Sequence, residues 1–241
     1  MPESEATVRR VRGALENEPR VNLHRYPIAV AVTGDVAVLE GDVENIAAKK
    51  LALELAGAAD GVRGVVDRLR IAVTERRGDG AVRDSLCDFL LREPELLNCT
   101  IRTVAKGRVE TLRDAGAARS GEIEAAVDDG VVALEGAVIS LSHKRVAGVL
   151  AWWTPGCRDV VNSLAVVPAE EDNDAEVVDA LRLVLEMDPL VRSEQVTASC
   201  RNFVVTLEGC VRTETQRRQA ENDAWALFAV DKVVNRIEVR A

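Results

Sequence analysis

Three pairs of adjacent cations recur at one spacing. Lys49-Lys50, Lys144-Arg145 and Arg217-Arg218 each stand eight and nine residues after a glycine that closes the tripeptide Leu-Glu-Gly, namely Gly41, Gly136 and Gly209. Ammonium and guanidinium groups hold phosphate oxygens through charge-assisted hydrogen bonds, so three pairs aligned in one strip would grip anionic headgroups. The pairs fall in the first half of a helical pattern, where the helix dipole disfavours cations, so capping does not explain them. The plainer alternative is a solvated helix face whose aliphatic stems lie over the core. A second basic cluster lies between residues 99 and 121, where Arg102, Lys106, Arg108, Arg113 and Arg119 face only Glu110 and Asp114. Of these, Arg102, Lys106 and Arg108 join the three pairs as candidate anion or lipid contacts.

Trp152 and Trp225 each stand sixteen residues after the glycine, and Trp153 follows the first directly. Adjacent helical residues point about 100° apart, so Trp152 and Trp153 can hardly share one buried face. The three indoles are therefore candidate interface residues, placed either between repeats or, alternatively, at a membrane surface. Catalysis has less material. Neither His24 nor His143 recurs at the equivalent position of another repeat, and no phosphate-cradling glycine-rich loop is present. Cys87, Cys99, Cys157, Cys200 and Cys210 are odd in number, widely spaced and without a CxxC pair, so each reads as a small buried hydrophobe rather than a disulfide partner or zinc ligand. The sequence predicts no catalytic residue, no metal site and no cofactor.

The elements that must position these residues come in three copies. After each Leu-Glu-Gly, a Val-Val pair follows at 24 residues, as Val65-Val66, Val160-Val161 and Val233-Val234, and Asp67, Asn162 or Asn235 comes next. Upstream, an amphipathic pattern ends at an acid-Pro pair each time, Glu18-Pro19, Glu93-Pro94 and Asp188-Pro189. Proline lacks an amide donor and clashes with the preceding turn, so a helix stops there. Alternating segments at 28–32, 123–127 and 196–200 lead through short turns to 36–39, 131–134 and 204–207, which predicts hairpins. The turn Asn202-Phe203 suits a tight hairpin less well than Gly34-Asp35 or Asp129-Gly130. A second helix then covers 46–59, 142–153 or 216–228, and the Val-Val segment returns as a third strand. The predicted fold is α+β, three tandem αββαβ units at about 7–73, 80–167 and 174–241, each a small mixed sheet with both helices on one face. Pro94 to Gly136 spans about twenty residues more than its counterparts, so the second copy carries an insert at about 99–121. Alternation on both sides of Ala105-Lys106-Gly107 predicts a hairpin there with a three-residue loop.

Composition limits the function classes. The 241 residues are 47% hydrophobic, 29% charged and only 3% aromatic, and the net charge is -9. Such a chain folds around an aliphatic core, has little material for base stacking, and repels phosphate at long range, so nucleic acid is disfavoured as a partner. No window is long and apolar enough to cross a bilayer. The start, Met1-Pro2-Glu3-Ser4-Glu5, has neither a basic nor an apolar leader region. Read as it stands, the sequence predicts a soluble cytoplasmic protein, and a periplasmic one only if the true N-terminus is longer.

Helix, acid-Pro, a hairpin ending in Leu-x-Gly-x-Val, a basic helix and a closing Val-Val-Asn-x-Leu or its variants resemble the BON domain, a bacterial family named for an osmotically inducible protein and nodulation proteins. The likeness covers nearly the whole chain, and Val233-Val234-Asn235-Arg236-Ile237 fits best. The resemblance implies a non-catalytic binding protein associated peripherally with anionic phospholipid, in an osmotic-stress or envelope setting. The alternative is a cytoplasmic protein-interaction scaffold that does not bind lipid, which the acidic balance and the missing leader favour.

Overall fold

The structure is a computed structural model that describes residues 2–116 and 119–240. It divides into two units, 1–72 and 73–241. The first contains α1 (Pro2–Glu16), β1 (Ile28–Thr33), β2 (Val36–Val43), α2 (Ile46–Gly57) and β3 (Gly64–Ile71). β1 pairs antiparallel with β2, and β2 pairs parallel with β3, as a strand-helix-strand crossover requires. Alternation sends Val30, Leu39 and Leu69 to the helix side, where they bury with Val11 and Leu15 of α1 and Leu51 and Ala56 of α2.

The second unit holds the other two copies. Copy two comprises α3 (Asp79–Arg92), β4 (Cys99–Ala105), β5 (Arg108–Arg113), β6 (Gly121–Asp128), β7 (Val131–Val138), α4 (Leu141–Trp153), β8 (Asp159–Asn162) and β9 (Ala165–Val166). Copy three comprises α5 (Asp174–Met187), β10 (Val196–Arg201), β11 (Val204–Val211), α6 (Glu214–Ala226) and β12 (Lys232–Val239). Its sheet runs β10-β11-β12, the same order as β1-β2-β3. In copy two the insert changes the sheet. β4 pairs parallel with the outer edge of β6, and β5 folds back on β4, giving the order β5-β4-β6-β7-β8 with β9 also on β7. The insert hairpin turns on two residues, Lys106-Gly107, rather than three: Ala105 pairs with Arg108, and φ is 51° and 73° at the turn, as a type I′ loop demands.

The recurring residues each perform one local task. Gly41, Gly136 and Gly209 sit at φ of 145°, 121° and 137° opposite the start of the first strand. A Cβ on Gly41 would lie 2.6 Å from the Pro27 carbonyl oxygen, and on Gly136 or Gly209 it would overlap the carbonyl oxygens of Glu122 or Gln195. The glycine thus lets the two strands of the hairpin close up. Four residues on, Asn45, Ser140 and Thr213 cap the second helix by accepting from Ala48, His143 and Gln216 N–H groups. In the acid-Pro pairs, Glu18, Glu93 and Asp188 accept from the N–H two residues ahead, on Arg20, Glu95 and Leu190.

The position after Val-Val ties strand to helix. Asp67, Asn162 and Asn235 each accept from the N–H two residues on, at 2.9, 3.3 and 3.1 Å. Asn162 Nδ2 also donates to the Lys144 carbonyl at 2.8 Å, and Asn235 Nδ2 to the Arg217 carbonyl at 3.1 Å. The turn Asn202-Phe203 holds both residues in left-handed conformation, φ 51° and 59°, which is unfavourable for a phenylalanine. Asp174 opposes that strain by accepting from Asn202 and Phe203 N–H groups, both at 2.8 Å. Asp79 serves the turn Asp129-Gly130 in the same way.

Gly136→Ala and Gly209→Ala should each lower the unfolding free energy by at least about 2 kcal/mol, because a left-handed backbone and a collision with a carbonyl oxygen combine. Urea titration checks this, and an unchanged midpoint would mean that the strand shifts without cost.

Candidate functional site

The basic pairs occupy the first turns of α2, α4 and α6, and the structure gives their members different surroundings. Lys49 is 4% exposed, with Nζ 2.7 Å from Asp67 Oδ2 and donating to the Leu69 carbonyl at 2.6 Å, whereas Lys50 is partly exposed. The aspartate that stands where the other copies have asparagine therefore neutralises a buried ammonium. Arg145 is 1% exposed and donates from Nη2 to both carboxylate oxygens of Asp172, at 2.6 and 2.7 Å. Its guanidinium lies 4.7 Å from the Phe228 ring centroid, and Lys144 Nζ lies 5.0 Å from the same ring. In α6, Glu214 takes both Arg217 and Arg218, at 2.7 and 3.2 Å. The two guanidinium groups hold the Glu214 carboxyl below the usual range.

The insert divides into a stapled base and an exposed tip. Arg102 reaches Glu122 at 2.6 Å, and Arg113 donates to the carbonyls of Cys99, Leu91 and Leu96, which ties the hairpin to the end of α3. Lys106 and Arg108 are exposed at the turn. The cysteines do not behave alike: Cys87, Cys99 and Cys157 are buried, but Cys200 and Cys210 are partly exposed. Burial pushes the Cys87 and Cys99 thiols up, and burial together with Asp174 pushes Cys200 up to about 12. Neutral thiols of this kind are poor nucleophiles and poor metal ligands.

Copies two and three join through the same helices that carry the basic pairs. Arg145 of α4 binds Asp172 in the connector and stacks on Phe228 of copy three. Trp153, at the end of α4, donates from Nε1 to Asp223 Oδ1 of α6 at 3.0 Å. Trp152 is partly exposed, and Trp225 is 1% exposed within copy three, its Nε1 having no acceptor among the described residues. Asp223 is 0% and Asp188 4% exposed, and Oδ2 of each lacks a donor among the described residues. Burial, followed by the neighbouring Asp188, pushes the Asp223 carboxyl up to about 8. Sequence reasoning did not find this pair. Its sequence signal was an acid in an otherwise small and apolar stretch, Asp223-Ala224-Trp225-Ala226.

Comparison with known proteins follows the three copies. The family model of the BON domain matches residues 4–73, 109–168 and 173–241. The middle match starts beyond α3, although α3 packs on the sheet of copy two as α1 and α5 pack on theirs; the insert separates that helix from the rest of its domain. Two solved structures of CdsD, a structural protein of the type III secretion system of Chlamydia trachomatis, are 15% identical over 97% of this chain. They are covered to 97% and 91%, with a TM-score of 0.25. Comparison with curated proteins finds no match.

The joint between copies two and three sets a pH dependence. The folded state keeps a proton on Asp223 that the unfolded chain releases near pH 4, so the stabilisation present below about pH 4 is lost progressively as pH rises to about 8. Asp223→Asn, which removes the titration, should therefore stabilise increasingly across that window. Melting temperatures at about pH 5 and pH 9 check it; a gap between variant and parent that stays constant with pH would contradict it.

Proposed function

The chain belongs to the BON domain family, and we propose that it works as a non-catalytic binding protein whose partner is another protein rather than a lipid surface. The observation that carries this reading is how the chain itself engages the candidate cations: Lys49 and Arg145 are buried on Asp67 and Asp172, Arg102 is paired with Glu122, and Arg217 and Arg218 share the one carboxylate of Glu214. The two buried cations, Lys49 and Arg145, are desolvated and have little further attraction to offer a headgroup, and the net charge of -9 opposes approach to an anionic membrane. No helix among the described residues is long and apolar enough to cross a membrane.

A second reading keeps peripheral contact with anionic phospholipid, in the stress or envelope setting that the family suggests. Lys106 and Arg108 favour it, because both project from the exposed turn of the insert hairpin. Two cations near a surface contribute roughly 1 kcal/mol each, and salt weakens them.

Co-sedimentation with phosphatidylglycerol vesicles separates the two. We expect no binding at physiological salt, and any association at low salt to disappear in Lys106→Glu/Arg108→Glu. Anionic-selective binding that persists at physiological salt would establish the lipid reading in place of the protein one.

A further inference from the structure

The three copies treat the outer edge of their first strand differently. In copy two that edge is occupied: β4 lies parallel on β6, with Ile101 opposite Ile123 and Thr103 opposite Ala125. Ile101, Ile123 and Ala125 are all 0% exposed. Thr103, 3% exposed, lies against Cys87 of α3 and donates from Oγ1 to the Ala125 carbonyl at 3.0 Å. The helix overhangs the edge strand, and β4 fills the space beneath it. In copy one the matching residues Ile28 and Val30 are also buried.

Copy three has the overhang and no strand to fill it. Val196 and Ala198, the counterparts of Ile123 and Ala125 in the pairing with Gly209 and Leu207, are partly exposed. Between them and α5 runs a groove of about 170 Å³ lined by Val178, Arg182, Leu185, Val196 and Ala198. Counted from the acid-Pro pair, Arg182 stands where copy two has Cys87. The seat that receives Thr103 in copy two thus lies in copy three beneath a guanidinium, which is 66% exposed and 3.6 Å from Asp179.

We infer that the edge of β10 receives an extended segment of a partner protein, which runs parallel to β10 with an aliphatic side chain opposite Val196 and a carboxylate opposite Ala198, beneath Arg182. This rests on the protein-binding reading above. Main-chain hydrogen bonds to an edge strand supply affinity, and pockets for alternate side chains supply selectivity. The β4 strand of copy two serves as the template for the occupant, and the charge of Arg182 sets the one change from it.

The test uses the full chain and a fluorescein-labelled peptide of residues 98–105 carrying Cys99→Ser and Thr103→Glu. Fluorescence anisotropy should rise to saturation. Ala198→Arg, which fills the groove, and Arg182→Glu, which reverses the charge on the surface, should each weaken binding by about tenfold or more. A Thr103→Lys version of the peptide should recover binding to Arg182→Glu. Arg182 is exposed, so its variant remains informative if Ala198→Arg fails to fold. The absence of a saturable rise at about 1 mM peptide, or a rise that both variants leave unchanged, would overturn the inference. A dimer in sedimentation that either variant dissolves would overturn it too, in favour of a second copy on the edge. Salt-resistant binding of the same protein to anionic vesicles, by contrast, would remove the protein-binding reading itself.

Discussion

A three-stranded sheet has two open edges, and each is a row of unpaired amide and carbonyl groups. The αββαβ arrangement cannot avoid this, because its crossover returns the last strand to the far side of the second and leaves the first strand outermost. Both helices then lie on one face, and the first of them overhangs that outermost strand. What lies beneath the overhang differs between the copies. Copy two fills it with an inserted hairpin of its own sequence, and Arg113 fastens that hairpin to the end of the helix. Copy one buries Ile28 and Val30. Copy three leaves Val196 and Ala198 partly exposed beside a groove.

The remaining recurring features serve the domain itself. The glycine of Leu-Glu-Gly lets the hairpin strands approach, the residue after Val-Val ties strand to helix, and the acid before proline caps the turn that follows the first helix. The second helices carry a further task in copies two and three, where the Arg145 clamp on Asp172 and Phe228 and the Trp153 bond to Asp223 hold the two domains together. Such small domains have marginal cores alone, so a joint of this kind contributes to stability. Residues that recur because the fold needs them are poor candidates for selecting a partner. On the proposal above, selectivity lies where the copies differ, as at Arg182, which stands where copy two has Cys87.

Much of this was legible in the sequence because the repeat displays its own register. The constant spacing from Gly41, Gly136 and Gly209 to the Val-Val pairs gives the element order, and local alternation gives the insert hairpin. The fate of the basic pairs was not legible, since helical spacing makes Lys49 and Arg145 look like a solvated face. Their partners, Asp67 and Asp172, lie far along the chain and are brought near only by the crossover and the connector. Alternation also says nothing about which edge a hairpin joins, so β4 on β6 could not be read locally. The two-residue turn at Lys106-Gly107 was obscured because a lysine at positive φ carries no sequence signal of its own.

Hydrogen exchange of the free, monomeric full chain tests most directly the claim that copy three presents an open edge where copy two has filled its own. β6 is paired on both sides and β10 on one, so alternate amides of β10 should exchange rapidly while the amides of β6 remain protected. Protection along β10 equal to that along β6, in the absence of any partner, would contradict the account.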